Sequence, residues 1–160
     1  MGANVQLPYP MQLGSGTVDL MPGVTVVGEA GDWSWGAQTI VTLRLGENDR
    51  DYTLGNRIDG TAWIGRALGD SFTATLRLAG ADWGSIDGAD GALNPNMVPT
   101  ADPDRRAGNR FDALLGIDWT PGGSYRHRLG VELGVPFHQR LDGPQLETDT
   151  TLTVGWQYTP

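Results

Sequence analysis

Hydrophobic and polar residues alternate through most of this chain, and the alternation is longest between Trp33 and Leu45. Every second residue there (Trp33, Trp35, Ala37, Thr39, Val41, Leu43, Leu45) belongs to a mainly apolar series. Ser34, Gly36, Gln38, Ile40, Thr42 and Arg44 belong to a mainly polar one. A period of two is that of a β-strand, whose side chains point alternately to opposite faces. A soluble strand usually runs about 5–6 residues, whereas a tilted strand crosses a bilayer with about 9–11. The Trp33 run is therefore long enough to span a membrane, with two tryptophans where an interfacial aromatic belt would place them.

The same pattern predicts strands over about 17–30, 52–66, 71–83, 111–120, 128–138 and 147–158, giving about seven in all and no helix. In the first, Val18, Leu20, Pro22, Val24, Val26, Gly28 and Ala30 share a face. Pro22 lacks an N–H, so this strand suits an edge or a loosened ladder. In the third, Asn56 interrupts the apolar face. Residues 1–16 read as an irregular lead-in broken by Pro8, Pro10, Gly14 and Gly16.

Connection lengths alternate as well. Gly31-Asp32, Gly69-Asp70 and Pro121–Ser124 are short turns. Glu47–Asp51, residues 84–109 and His138–Gln145 are longer and more polar. Outer-membrane barrels have short periplasmic turns and long external loops. The aromatics fall with them: Trp33, Phe72, Trp119, Tyr125 and Trp156 at the short-turn end, Tyr52, Phe111 and Phe137 at the long-loop end. The expected fold is therefore all-β, an antiparallel up-and-down transmembrane β-barrel. It forms a single domain over 1–160, with seven to eight strands and 84–109 as a long external loop. Bacterial single-chain barrels have an even strand number and an open edge in lipid leaves backbone groups unpaired. The strands are thus expected to be part of a larger barrel, completed by N-terminal strands or an oligomeric partner.

Composition narrows the class. The chain has 160 residues, 39% of them hydrophobic, and no apolar run approaches the roughly 18 residues of a membrane helix. It holds no Cys, which removes disulfides and thiolate chemistry. The net charge of -8 argues against a nucleic-acid surface, which requires a basic patch. Met1-Gly2-Ala3-Asn4 has no basic n-region or apolar core, so an exported form of this protein is expected to have lost its signal or to be longer.

The polar strand faces carry Asp19, Glu29, Arg44, Arg57, Asp59, Arg77, Asp112, Asp118, Arg128, Glu132 and Asp149. In a barrel these line the lumen. Arg44, Arg57, Asp59, Arg77, Asp112, Asp118, Arg128, Glu132 and Asp149 are the lumen-lining candidates, able to set ion selectivity or position a polar solute. The plainer alternative is that they pair across strands and satisfy a wet interior. Asp82, Asp87, Asp90, Asp102, Asp104, Asp49, Asp51 and Asp142 make oxygen-rich loops. No calcium-loop spacing is present, and Arg105-Arg106 partly neutralise the cluster, so solvated acidic loops are expected. His127 and His138 come without a nucleophile elbow or triad order. No catalytic residue, cofactor or metal is expected.

Several segments together resemble a known family: Leu7-Pro8-Tyr9-Pro10-Met11-Gln12-Leu13-Gly14, Trp33-Ser34-Trp35-Gly36-Ala37-Gln38, Arg44-Leu45-Gly46-Glu47-Asn48-Asp49-Arg50, Asn94-Pro95-Asn96-Met97-Val98-Pro99, Leu141-Asp142-Gly143-Pro144 and Gly155-Trp156-Gln157-Tyr158. They are similar to the C-terminal half of the outer-membrane transporter family of the meta-pathway of phenol degradation. The resemblance implies a bacterial outer-membrane channel or transporter for small apolar or aromatic solutes, with outer-membrane lipid and the solute as partners. The chain departs from the family by lacking its N-terminal half and its usual terminal aromatic. The alternative fold with the same alternation is a soluble lipocalin-like β-barrel that binds a small apolar ligand, its apolar faces turned inward.

Overall fold

A computed structural model describes residues 6–123 and 126–160. The expected signal-peptide reading of Met1–Asn4 and the belt position of Tyr125 fall outside them. The described chain is all-β, without an α-helix. Its main element is one antiparallel sheet built from β1 (Val18–Leu20), β2 (Gly23–Ala30), β3 (Trp33–Leu45), β5 (Arg57–Ala67), β6 (Phe72–Trp83), β8 (Gly108–Trp119), β9 (His127–Leu141) and β10 (Thr151–Tyr158). The two-residue strands β4 (Tyr52–Thr53) and β7 (Asp87–Gly88) pair separately.

β1 and β2 are one strand with a gap. Val18 pairs with Leu45 and Gly23 with Ile40, so both keep a single register on β3. The gap is Met21-Pro22. The Pro22 carbonyl still accepts the Val41 N–H at 2.9 Å, but proline has no donor to return. The sheet is thus a meander of seven long strands, each paired with its sequence neighbours, and it is not closed.

The register places the alternating faces in continuous rows. Gly28, Trp35, Ile64, Leu76, Leu115, Leu133 and Leu152 form one row across the apolar face. Phe72, Trp119, Leu129 and Trp156 form another at the short-turn end. On the opposite face lie Ser34, Gly65, Thr75, Gly116, Glu132 and Thr153.

Glycines in the strands are covered by bulky register partners. Trp35 lies over Gly28, Trp63 over Gly36, Phe111 over Gly80, Trp83 over Gly108 and Leu114 over Gly134. A glycine in a strand leaves a gap on one face, and a large neighbour fills it.

Large side chains on the apolar face stay exposed. Leu115 is 67% and Leu152 66% accessible, whereas Leu114 on the opposite face is 7%. The buried core lies instead at the long-loop end. Tyr9, Tyr52 and Ile86 pack together there with Leu54 and Leu93 against them. The Tyr9 and Tyr52 rings meet edge-on at 5.0 Å. Tyr52 is therefore not a belt aromatic as expected. It is the centre of a cap, its hydroxyl donating to Gln12 Oε1 at 2.7 Å.

Four strand boundaries differ from the sequence reading. The strand expected over 52–66 splits, because the Asn56 side chain takes the Arg44 N–H at 2.8 Å and the Asn56 carbonyl takes the Gly84 N–H at 3.0 Å. β8 begins at Gly108, earlier than expected. β9 runs on to Leu141 through an irregularity at Phe111/Asp112 that leaves Phe137 stacked on Phe111. β10 begins only at Thr151. Before it, Gln139 donates to the Thr148 carbonyl at 2.8 Å and accepts the Thr148 N–H at 3.0 Å, so a side chain holds the place of a ladder partner.

Candidate functional site

Eight of the nine lumen-lining candidates lie on one face of the sheet. They are Arg44 on β3, Arg57 and Asp59 on β5, Arg77 on β6, Asp112 and Asp118 on β8, and Arg128 and Glu132 on β9. The ninth, Asp149, was expected on the last strand and instead precedes β10 in the connection 142–150. That stretch is fastened by side chains rather than by the ladder.

All eight are ion-paired. Arg57 is bidentate on Asp59, with Nε at 2.7 Å and Nη2 at 2.6 Å. Arg77 crosses the intervening strand β8 to grip Glu132 through two nitrogens, Nε at 2.9 Å. Arg128 holds Asp118 at 2.7 Å. Arg44 pairs with Asp19, its register partner. Asp112 takes Arg110 at 3.0 Å. Arg110 lies just outside the fifth strand that the alternation predicts from Phe111; its place two residues before Asp112, on the same face, is the signal in the sequence that points to it.

Arginine is suited to this role because its planar fork matches a carboxylate in two parallel hydrogen bonds. The pairs are partly exposed, Arg77 and Glu132 side chains at 34% and 21%, so each contributes little to stability. Their consequence is electrostatic: the face carries alternating fixed charges, positioned and largely compensated. Between them lies a concavity of about 300 Å³ lined by Trp63, Thr75, Arg77, Asp118, Arg128 and Glu132. It is open and two-signed. It holds no nucleophile and base in contact, and no group of three or more metal-ligating side chains occurs among the described residues.

The acidic loops depart from the reading of uniformly solvated carboxylates. Asp82 sits in β6. Asp90 is 4% accessible; its N–H donates to the Tyr9 hydroxyl at 2.9 Å and its carboxylate faces Arg50 at 3.5 Å. Of Arg105 and Arg106, only Arg105 neutralises an acid, Asp102 at 3.1 Å. Burial raises the Tyr9 pKa above the ordinary phenol value, in keeping with its place in the cap.

Comparison with protein-family models, with curated proteins and with solved structures returns no match. The arrangement of the two faces is thus what bears on function.

Proposed function

We propose that this chain is part of an outer-membrane β-barrel that passes small solutes. Its apolar face lies against lipid and its ion-paired face lines a water-filled lumen. The observation that carries the reading is the apolar face. Its row of Trp35, Ile64, Leu76, Leu115, Leu133 and Leu152 is 42–67% accessible, and exposed apolar patches on soluble monomers rarely exceed a few hundred Å². A face this wide requires an apolar cover, and lipid supplies one without any further chain. Trp33, Phe72, Trp119 and Trp156 at its short-turn edge support the same placement. So does Arg66, on the apolar face beside Trp33, whose guanidinium sits 5.2 Å from the Trp33 ring centroid as a side chain reaching for the interface does. The resemblance to the phenol meta-pathway transporters points the same way.

The edges add a constraint. β1/β2 and β10 are the first and last of seven antiparallel strands and so run in the same direction. Closing them by antiparallel pairing takes an odd number of further strands that begin and end in the opposite sense. A second copy in the same orientation would meet both edges in parallel, so further strands rather than a copy suit the closure.

Conductance tests the lumen assignment. Arg77→Ala removes one cation and leaves Glu132 uncompensated at the centre of the polar face. In planar bilayers the variant is expected to shift selectivity toward cations. Unchanged conductance and selectivity would remove Arg77 from the pore lining.

A further inference from the structure

The arginines outside ion pairs divide by burial. Arg66, Arg126 and Arg140 make no ion pair among the described residues and are exposed. Arg106 makes none either, yet it is half-buried between the turn Pro103–Arg105 and β8. Burial alone acts on its pKa, lowering it from the usual guanidinium value. A guanidinium does not give up its proton in a protein. Arg106 is therefore a charge partly withdrawn from water with no counter-charge among the described residues.

Arg106 shares a cavity of about 180 Å³ with Arg44, Arg57, Trp83, Tyr9 and Ile86. Two of these cations are already occupied, Arg44 with Asp19 and Arg57 with Asp59. Arg44 is nevertheless not satisfied: its Nε is buried with no hydrogen-bond partner. A buried donor on a charged group left unpaired is costly. Trp83, Tyr9 and Ile86 supply the apolar wall, and Trp83 is held in place by the Arg57 guanidinium 5.4 Å from its ring centroid. The cavity thus offers one net positive charge and an apolar surface, and the unpaired Arg44 Nε beside it is closed to solvent.

We propose that this cavity binds a small organic acid, with Arg106 taking its carboxylate and Trp83, Tyr9 and Ile86 its apolar body. A planar monoanion matches a guanidinium and supplies one negative charge where one is missing. A neutral solute would leave Arg106 uncompensated. Inorganic phosphate would bring excess charge and nothing for the apolar wall. The volume lies below the roughly 300–1,000 Å³ of drug-sized sites, which limits the guest to a single ring or a short chain. The cavity lies where the loop-end cap meets the start of the ion-paired face. As the substrate class of a channel the assignment rests on the lumen reading; as a binding site it does not.

The test is a titration of the refolded full chain with benzoate, followed by tryptophan fluorescence and by calorimetry. Saturable binding is expected. Benzamide, the same shape without the charge, and inorganic phosphate are expected to bind at least about tenfold more weakly, and Arg106→Gln to weaken benzoate by about tenfold or more. Arg140→Gln, at an exposed arginine, is expected to change nothing. Equal affinity for benzoate and benzamide, equal affinity for phosphate, or an undiminished Arg106→Gln variant would overturn the assignment. The comparison of benzoate with benzamide uses the unaltered chain, so it decides even if the variant fails to fold. Benzoate binding without bilayer conductance would keep the site and discard the channel. Conductance without benzoate binding would do the reverse.

Discussion

Leu115→Arg is expected to prevent stable insertion of this sheet into a bilayer. Leu115 lies in the middle of the apolar row, between Leu76 and Leu133, and projects away from the ion-paired face. An arginine on the lipid face of a transmembrane barrel costs about 2–4 kcal/mol at the midplane and only about 0–1 near the interface. Leu129→Arg, in the row of Phe72, Trp119 and Trp156 at the short-turn edge, is therefore expected to be nearly neutral. Denaturant titration of protein refolded in lipid vesicles measures both. The gradient from the middle of the face to its edge is the signature of lipid. A water-exposed Leu115 would tolerate the change, and equal behaviour of the two variants would count against a bilayer cover.

The second large effect is expected at Gly36. It is buried on the polar face, and a Cβ placed there would come 2.2 Å from Trp63 Cζ2. Gly36→Val must displace the indole of its register partner, and overpacking of this kind typically costs about 1–3 kcal/mol. Trp63→Ala removes the obstacle. The double variant is then expected to be less destabilised than the sum of the singles, with a coupling of about 0.5–3 kcal/mol. Additive effects in the denaturant midpoints would show that Trp63 does not rest on Gly36. The same indole lines the concavity beside Arg77 and Glu132, so its displacement is expected to alter conductance as well as stability.

The sheet was legible in the sequence because strand alternation is a local signal. Trp33 to Leu45 declares its two faces without reference to any other segment, and the neighbouring runs do the same. Pro22 was legible too, since the absence of an N–H is a property of the residue. What the alternation could not convey is who meets whom. Arg57 and Asp59 sit two apart on one strand and could be paired by inspection, but Arg77 finds Glu132 only through a register that places them on either side of β8. Tyr52 illustrates the larger difficulty. At a strand end it reads as a belt aromatic. Its burial depends on Tyr9, far back in an irregular segment, and on Ile86 in a long loop, and neither carries a periodic pattern. Arg106 was masked by its neighbour: beside Arg105 in an acidic stretch it reads as one of two neutralising cations, and only the fold separates the paired one from the buried one.

The central claim is that the apolar face is covered by lipid. The most direct measurement is electrophoretic mobility of the chain refolded in detergent, boiled against unboiled, with a parallel sample from which detergent is withdrawn. A heat-dependent shift in mobility, together with aggregation when detergent is removed, is the predicted result. A soluble monomer whose mobility does not change on boiling would contradict it, and would place the apolar face inside a small-ligand-binding barrel instead.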